Sequence, residues 1–303
     1  MINACMTMNA LPQPRSSTNS ASPEVTAFYH ETSGSVAYLV TDPATRRTAI
    51  IDPVLDFDPR AGRVATTSAD AMLSAISERG LTVEWILDTH PHADHFSAAA
   101  YLKSKLSAPT AIGAKVADIQ KLWEKIYNLP PYTTRYWDRL FNDNDTFKIG
   151  SLDARVMLSA GHTLASVTYI VGDAVFVHDT LFQPDSGTAR TDFPGGSAAT
   201  LYDSIQRILT LPDETRLFTG HDYRPNGRPA RWESTVAQQK RDNTHVGGGR
   251  DRASYVALRE ARDKTLPLPE LMLAALQVNL RGGRVPEPED NGRIYLKIPL
   301  DAF

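Results

Sequence analysis

Four ionisable side chains lie within six consecutive residues, His90-Pro91-His92-Ala93-Asp94-His95. They follow a short apolar run at residues 83–87 that predicts a buried strand, so the segment forms the turn at the end of that strand. Burying such side chains would carry a large desolvation cost unless a cation compensates them. Imidazole and carboxylate groups are ligands of zinc and iron rather than of calcium. The segment therefore predicts a transition-metal site.

The elements that must hold this segment alternate between strands and helices. Two β-rich runs, residues 35–40 and 48–52, flank the turn Asp42-Pro43-Ala44-Thr45 and predict a hairpin. Gly172-Asp173 predicts a second hairpin with a two-residue turn. Ser197 is an expected N-cap of a helix that carries Leu201 and Ile205. Further strands are predicted at residues 110–112, 145–149, 152–158, 167–171, 174–177 and 215–219, and helices at 70–79, 97–106, 116–127, 233–242 and 251–264.

The pattern predicts an α/β fold with two similar halves, each with strands, helices and histidines at strand ends. His162, Asp179 and His221 follow strands of the second half. Two such halves form a four-layer αββα sandwich with two mixed sheets, in which the loops at one edge meet in a single cleft. We expect one domain over residues 25–303, including a helical and Pro-rich C-terminal extension, after a disordered leader at residues 1–24.

The amino-acid composition argues against several classes of partner and location. The chain has 303 residues and a formal net charge of −3, which gives no electrostatic reason to expect nucleic acid or an anionic membrane as a partner. Its one cysteine, Cys5, lies in the leader, so an internal disulfide framework is excluded and a reducing cytoplasm is the expected location. No apolar run approaches the ~18 residues of a membrane span.

The motifs resemble the metallo-β-lactamase superfamily over nearly the whole chain after the leader. Besides the hexapeptide, three later motifs resemble that family's ligand motifs in the expected order: Ala160-Gly161-His162-Thr163, His178-Asp179-Thr180 and Gly220-His221-Asp222-Tyr223. Three histidines are excluded from the predicted metal site. His30 and His245 are expected to be structural or solvent-facing, and His178 should point away from Asp179 if both are extended.

Within the superfamily, the chain is most similar to the persulfide dioxygenases. The segment Gly187-Thr188-Ala189-Arg190-Thr191-Asp192-Phe193 resembles that family, as do Ile51-Asp52-Pro53-Val54-Leu55, Thr200-Leu201-Tyr202 and Gln277-Val278-Asn279-Leu280-Arg281. The resemblance implies an enzyme that oxidises the sulfane sulfur of glutathione persulfide with O₂ to give sulfite and glutathione. No nicotinamide or flavin is expected, since the chain lacks the glycine patterns of nucleotide-binding folds.

The resemblance also implies roles for individual residues. One Fe(II) per chain would be held by His90, His162 and Asp179, a triad with open coordination positions. Groups around the iron would orient its ligands or complete a second metal site, and these are His92, Asp94, His95 and His221. Contacts to the glutathione moiety are implied for Arg190 and Tyr223. The family has a further arginine that contacts glutathione. In this sequence it has two candidate counterparts, Arg241 and His245, of which we take Arg241.

Two other functional classes remain open from the sequence. A dinuclear hydrolase of the glyoxalase II (thioesterase) or lactonase type would use the same ligand inventory with a bridging hydroxide. A non-catalytic binding protein on this scaffold is a third class, and the retention of every ligand position argues against it. The sequence is compatible with a homo-oligomer.

Overall fold

The computed structural model describes residues 22–129 and 131–302. Two six-stranded sheets pack face to face, and the core between them contains apolar side chains from both, such as Tyr38, Ile51, Tyr169 and Phe176. Helices cover both outer faces. The expected mixed-sheet αββα sandwich is therefore confirmed. In the part of the chain described, no helix has the length and apolar character needed to cross a membrane.

The first sheet has the strand order β1-β2-β3-β6-β8-β9. Its strands are β1 (Glu24–His30), β2 (Ser35–Thr41), β3 (Arg47–Ile51), β6 (Thr82–Leu87), β8 (Thr110–Gly113) and β9 (Arg139–Phe141). The first three are antiparallel and the rest pair in parallel. A small sheet, β4 (Val54–Asp58), β5 (Arg63–Ala65) and β7 (Phe96–Ser97), lies beside it in the order β5-β4-β7. The predicted hairpin of β2 and β3 is confirmed.

The second sheet runs β10-β11-β12-β13-β14-β15. Its strands are β10 (Thr146–Ile149), β11 (Leu152–Leu158), β12 (Val167–Val171), β13 (Ala174–His178), β14 (Arg216–Thr219) and β15 (Glu233–Thr235). The two-residue turn at Gly172-Asp173 joins β12 and β13 as predicted, and Gly172 adopts the positive φ of 56° that such turns require.

Seven α-helices are found in the described residues: α1 (Thr67–Glu78), α2 (Ala99–Leu106), α3 (Val116–Tyr127), α4 (Ala198–Leu209), α5 (Val236–Asp242), α6 (Arg252–Asp263) and α7 (Met272–Asn279). Helix α4 begins where predicted, because the Ser197 side chain accepts a hydrogen bond from the Thr200 N–H. Its residues Leu201 and Ile205 pack on the second sheet, and α1, α2 and α7 pack on the first.

Several element boundaries differ from the prediction. The predicted leader lies outside the described residues except at 22–24, where Ser22 and Pro23 are buried and Glu24 begins β1. The helix predicted from residue 233 begins only at Val236, because Thr235 caps it through a capping box with Gln238. Strands β1, β4, β5, β7 and β9 and helix α7 were not predicted, and strand β15 lies where the helix from residue 233 was expected.

Candidate metal centre

The predicted metal segment follows β6 and is buried in the cleft at one edge of the two sheets. His90, His92 and His95 are each at most 2% exposed. Asn279 of α7 holds the segment through hydrogen bonds. Its Nδ2 donates to the backbone oxygens of His92 and His95 at 2.7 Å each. The same side chain accepts from the Ser97 N–H at 2.7 Å. A buried helix end therefore fixes the path of the loop.

Three donors from separate elements converge beside this loop. The Nε2 atoms of His90 and His162 lie 3.9 and 3.8 Å from Asp179 Oδ2. These separations are less than twice a metal–nitrogen bond of about 2.1 Å, so one ion can contact either histidine together with the carboxylate. All three donor atoms lie within 4.8 Å of one another. The structure thus brings together the residues expected to hold the iron.

Hydrogen bonds orient both imidazoles toward Asp179. The Nδ1 of His162 lies 2.8 Å from the Arg190 carbonyl oxygen, which can only accept, so Nδ1 carries the proton and Nε2 has the lone pair. Thr89 Oγ1 donates to Asp52 and contacts His90 Nδ1 at 3.0 Å, which gives His90 the same tautomer. Burial lowers the pKa of both histidines, which favours the neutral rings that a metal could bind.

An unsatisfied buried atom supports a metal at this place. Within the described part of the chain, His90 Nε2 is buried without a hydrogen-bond partner. A buried nitrogen with a free lone pair is costly unless something binds it. Two neutral imidazoles and one carboxylate, with other positions left open, match the two-histidine, one-carboxylate sets that hold non-haem Fe(II). The residues therefore fit the implied metal.

A second group of donors lies next to this triad. His221 lies between Asp179 of the triad and Asp94 of the second group. Its Nδ1 is 2.5 Å from Asp179 Oδ1, and its Nε2 is 2.7 Å from Asp94 Oδ2. Burial alone would lower the pKa of His221, but these two carboxylates outweigh burial and hold it well above its usual range. Asp94 also contacts His95 Nδ1 at 2.9 Å and accepts from Ser35 Oγ at 2.8 Å.

His92 is turned toward Asp52, with its Nε2 3.0 Å from Asp52 Oδ1. Burial would lower its pKa, but the Asp52 charge raises it to about 9. The described residues offer no hydrogen-bond partner to His92 Nδ1 or to His95 Nε2, although both are buried. His92, Asp94 and His95 therefore form a second set of donors that could hold a metal.

A cavity of about 900 Å³ opens onto both groups. Its wall includes the metal-site residues Asp94, His95, His162 and Asp179. The rest of its lining includes apolar side chains, four arginines, two acidic side chains and one tyrosine, among them Leu55, Phe57, Phe182, Phe193, Leu268, Arg60, Arg190, Arg259, Arg262, Asp58, Glu270 and Tyr223. Cavities of this size hold drug-sized ligands.

The residues predicted to contact substrate differ in their placement. Arg190 lines the cavity, with Nε and Nη2 on Asp192 at 2.7 Å and Nη1 on the Pro267 carbonyl at 2.5 Å. Tyr223 also lines it, 60% exposed and stacked on His221. Arg241 was expected there, but its side chain is 67% exposed, pairs with Asp242 and is not among the described cavity residues. It lies on the surface because α5 directs it outward.

The three excluded histidines are all buried. His178 Nε2 contacts Ser159 and Thr180 at 2.9 Å, and His245 Nδ1 accepts from the Thr188 N–H at 2.9 Å. His30 contacts Ser33 and Asp56. None belongs to a donor group that could hold a metal within the residues described. Sequence reasoning missed Asn279 as a support of the loop. The sequence feature that could have indicated this role is the position of Asn279 within the family-like segment at residues 277–281.

A large part of the chain matches the profile of a known protein family. Residues 31–221 match the metallo-beta-lactamase superfamily profile. A beta-lactamase hydrolase-like protein of Xylella fastidiosa strain Temecula1 is 64% identical over 93% of this chain and 65% of its own length. The chain therefore spans 65% of the length of that relative.

Other relatives carry different functional names. Glyoxylase B2 of Dictyostelium discoideum is 44% identical over 87% of this chain and 92% of its own. The mitochondrial persulfide dioxygenase ETHE1 of Bos taurus is 29% identical over 81% of this chain and 83% of its own length. The crystal structure of ETHE1 from Myxococcus xanthus superimposes with a TM-score of 0.71 at 31% identity, covering 86% of this chain and 99% of that one.

Proposed function

This chain belongs to the metallo-beta-lactamase superfamily, and we propose that it acts there as an iron-dependent persulfide dioxygenase on glutathione persulfide. The observation that carries the proposal is the His90–His162–Asp179 triad, in which hydrogen bonds direct both imidazole lone pairs toward one carboxylate. When bound, Fe(II) supplies open coordination positions for the persulfide sulfur and O₂. The similarity to the ETHE1 proteins of Bos taurus and Myxococcus xanthus supports the same assignment.

The surrounding residues have roles that follow from their contacts. Both ring nitrogens of His221 already contact carboxylates, which favours one metal ion over two. His221 would hold Asp179 in place, and Asp94 would hold His221. Phe182 and Phe193 would exclude water from part of the cavity, which also strengthens polar contacts inside it.

The cationic part of the cavity suits the carboxylates of glutathione. A guanidinium has five N–H donors, and the contacts of Arg190 to Asp192 and Pro267 use three of them. The remaining donors can bind a substrate carboxylate. The Tyr223 ring would cover the peptide part of the substrate. Arg262 replaces Arg241 as a cation within reach, since it lines the cavity.

The second candidate is a dinuclear hydrolase of the thioesterase or lactonase kind. It is favoured by His92 Nδ1 and His95 Nε2, to which the described residues offer no hydrogen-bond partner; with Asp94 these histidines would complete a second site. The glyoxylase name of the Dictyostelium relative points the same way. Metal content and reaction type separate the two candidates.

We expect the full chain, purified without oxygen and without added metal, to hold about one iron and little zinc. It should then consume O₂ with glutathione persulfide and form sulfite, and it should leave a glutathione thioester intact. Metal analysis, an oxygen electrode and a sulfite assay measure these properties on one preparation. Two zinc ions per chain together with thioester hydrolysis would replace this proposal with the dinuclear hydrolase.

Arg190→Ala should mainly raise KM and leave kcat closer to normal, because a carboxylate contact far from the reacting sulfur is similar in the ground and transition states. A charge-assisted hydrogen bond contributes roughly 1.5–3 kcal/mol, which is about a ten- to hundred-fold loss in kcat/KM. Iron content should not change, since the backbone carbonyl that orients His162 remains. Arg190→Lys should recover only part of the loss.

Oxygen uptake on matched, iron-loaded variants measures this effect. Asp192→Asn serves as the comparison, because it keeps Arg190 but weakens the pair that orients its guanidinium. An unchanged KM in Arg190→Ala would show that the glutathione carboxylate binds elsewhere in the cavity.

A further inference from the structure

Helix α6 carries a buried ion pair near its C-terminal end. Arg259 and Asp263 are one helical turn apart and are 1% and 3% exposed. Arg259 Nη2 lies 2.6 Å from Asp263 Oδ1, and Arg259 Nε donates to the same oxygen at 2.9 Å. Burying two charges has a desolvation cost, which their attraction offsets only when further hydrogen bonds satisfy the remaining polar atoms. The other contacts of the pair therefore show what it holds.

Both members of the pair bind the backbone of the segment at residues 188–191. Arg259 Nη1 donates to the Thr188 carbonyl oxygen at 2.9 Å. Asp263 Oδ2 accepts from the Thr191 N–H at 2.9 Å and from the Thr191 hydroxyl at 3.0 Å. The two contacts lie on either side of residues 189 and 190. The pair therefore holds these two residues from both ends.

Arg190, inside this segment, contacts the metal centre and the cavity with different atoms. Its carbonyl oxygen accepts from His162 Nδ1 at 2.8 Å and so orients a proposed iron ligand. Its guanidinium lines the cavity and donates to the carbonyl oxygen of Pro267, four residues after Asp263. A shift of the backbone at Arg190 would therefore move the His162 imidazole and this cationic group together.

The two ends of the segment depend on the pair to different degrees. Thr188 has other support, since its N–H donates to His245 Nδ1 at 2.9 Å. At the other end, Asp263 is the acceptor that the described residues offer to the Thr191 N–H. The Asp263 carboxylate is in turn held by Arg259. Loss of the pair should therefore release the segment mainly on the Thr191 side.

Arg259 also lines the cavity, so direct contact with the substrate is the competing interpretation. Its Nε, Nη1 and Nη2 atoms already contact Asp263 or Thr188. With 1% of its surface exposed, Arg259 presents little of its side chain to a ligand. These contacts favour a role that acts through the backbone of Arg190.

We infer that Arg259 and Asp263 are positioning residues, which hold Arg190 so that one backbone segment serves both His162 and the substrate. The inference rests on the proposed function for its effect on turnover, whereas its effect on metal binding is independent of the reaction. It predicts a paired defect. Loss of the ion pair should speed metal release and raise KM, whereas Arg190→Ala should change KM alone.

The double variant Arg259→Met/Asp263→Leu tests the inference in the full chain. Replacing both members with apolar side chains of similar volume leaves no unpaired buried charge, and such replacements are often tolerated. The Thr188 carbonyl and the Thr191 N–H lose their partners. Arg252→Met/Asp203→Leu is the matched control, because it makes the same two changes at a half-exposed ion pair between α6 and α4.

Arg259→Lys is a milder variant that keeps the inference testable if the double variant does not fold. It leaves a positive charge opposite Asp263, so neither charge is unpaired. An ammonium lacks the planar fork that reaches Asp263 and Thr188 together, so part of the effect should remain, about threefold in metal release and in KM.

Chains loaded with redox-inert Zn²⁺ are measured first, because they need no turnover. The double variant should release Zn²⁺ to a chelator about tenfold faster than the unaltered chain, since losing a group that orients a metal ligand typically costs about 10–100-fold in affinity. The ring ¹⁵N resonance of His162 Nδ1 should move toward that of an N–H without a hydrogen bond. The control should match the unaltered chain in both properties. Unchanged release with an unchanged His162 resonance would overturn the inference.

Oxygen uptake with glutathione persulfide, at matched iron content, tests the other half. KM should rise about tenfold in the double variant, the lower end of the effect expected from such positioning groups, and stay unchanged in the control. A raised KM with unchanged Zn²⁺ release would mean that Arg259 contacts the substrate directly, and it would overturn the inference. If the unaltered chain takes up no oxygen, the proposed function fails, while the Zn²⁺ measurements still decide the role of the pair.

Discussion

His162→Ala and Asp179→Ala are each expected to remove most of the bound iron, whereas Asp94→Ala should retain a measurable share and lose turnover. His162 and Asp179 face each other across 3.8 Å with His90 alongside, so each substitution would delete one bond to the proposed iron. Asp94 instead contacts Ser35, His95 and His221. Loss of a group that orients a ligand typically costs about 10–100-fold in affinity or activity.

Metal analysis after anaerobic purification measures iron retention, and the shift in Tm on adding Fe(II) gives an independent reading of affinity. Asp153→Ala is a suitable control, because that carboxylate is 88% exposed on β11 and far from any proposed role. Equal iron loss in all three site variants would show that Asp94 is itself a ligand. The dinuclear alternative would then gain support.

The regular parts of this fold could be predicted from the sequence because local signals determine them. The turn at Gly172-Asp173, the N-cap at Ser197 and the helix at residues 116–127 each depend on residues close in sequence, and the structure agrees with each prediction. Helix α7 was missed, because nearly all of its residues are apolar or buried and it has no polar face to give a helical period. Only its position against the first sheet explains it.

The same distinction applies to the site. The strand-end motifs predicted which donors would meet, since strand ends on one edge of a sheet share a cleft. Arg241 could not be placed, because the direction of its side chain depends on how α5 packs. His30 was set aside as structural or solvent-facing. It is buried in contact with Ser33 and Asp56, a placement that depends on the register of the β1–β2 hairpin.

The loop at residues 90–97, which carries the predicted metal segment, is also held by a residue nearly two hundred positions later in the chain. Asn279 makes three hydrogen bonds of 2.7 Å with the backbone of residues 92, 95 and 97, and it is 3% exposed. Gly283, just beyond, has a φ of 80°, and a Cβ there would come within 2.5 Å of the Ser97 backbone oxygen. The end of α7 is therefore packed directly against the loop.

Asn279→Ala should lower the free energy of unfolding by about 3 kcal/mol or more and speed the release of iron to a chelator. The substitution leaves two carbonyls and one N–H buried without partners, and each such group costs about 1–3 kcal/mol. Asn279→Asp should be at least as harmful. It keeps an acceptor for the Ser97 N–H but puts a carboxylate oxygen against the carbonyls of His92 and His95.

Gln277→Ala separates support of the metal loop from general stability. Gln277 is 1% exposed on the same helix and also makes three hydrogen bonds to backbone atoms, but to Leu273 and Lys297 instead of the loop. Urea unfolding of the iron-free chains should show comparable losses for Asn279→Ala and Gln277→Ala. Only Asn279→Ala should release iron faster, because only its partners carry the histidines. Equal iron release from both variants would mean that α7 stabilises the fold without shaping the metal centre.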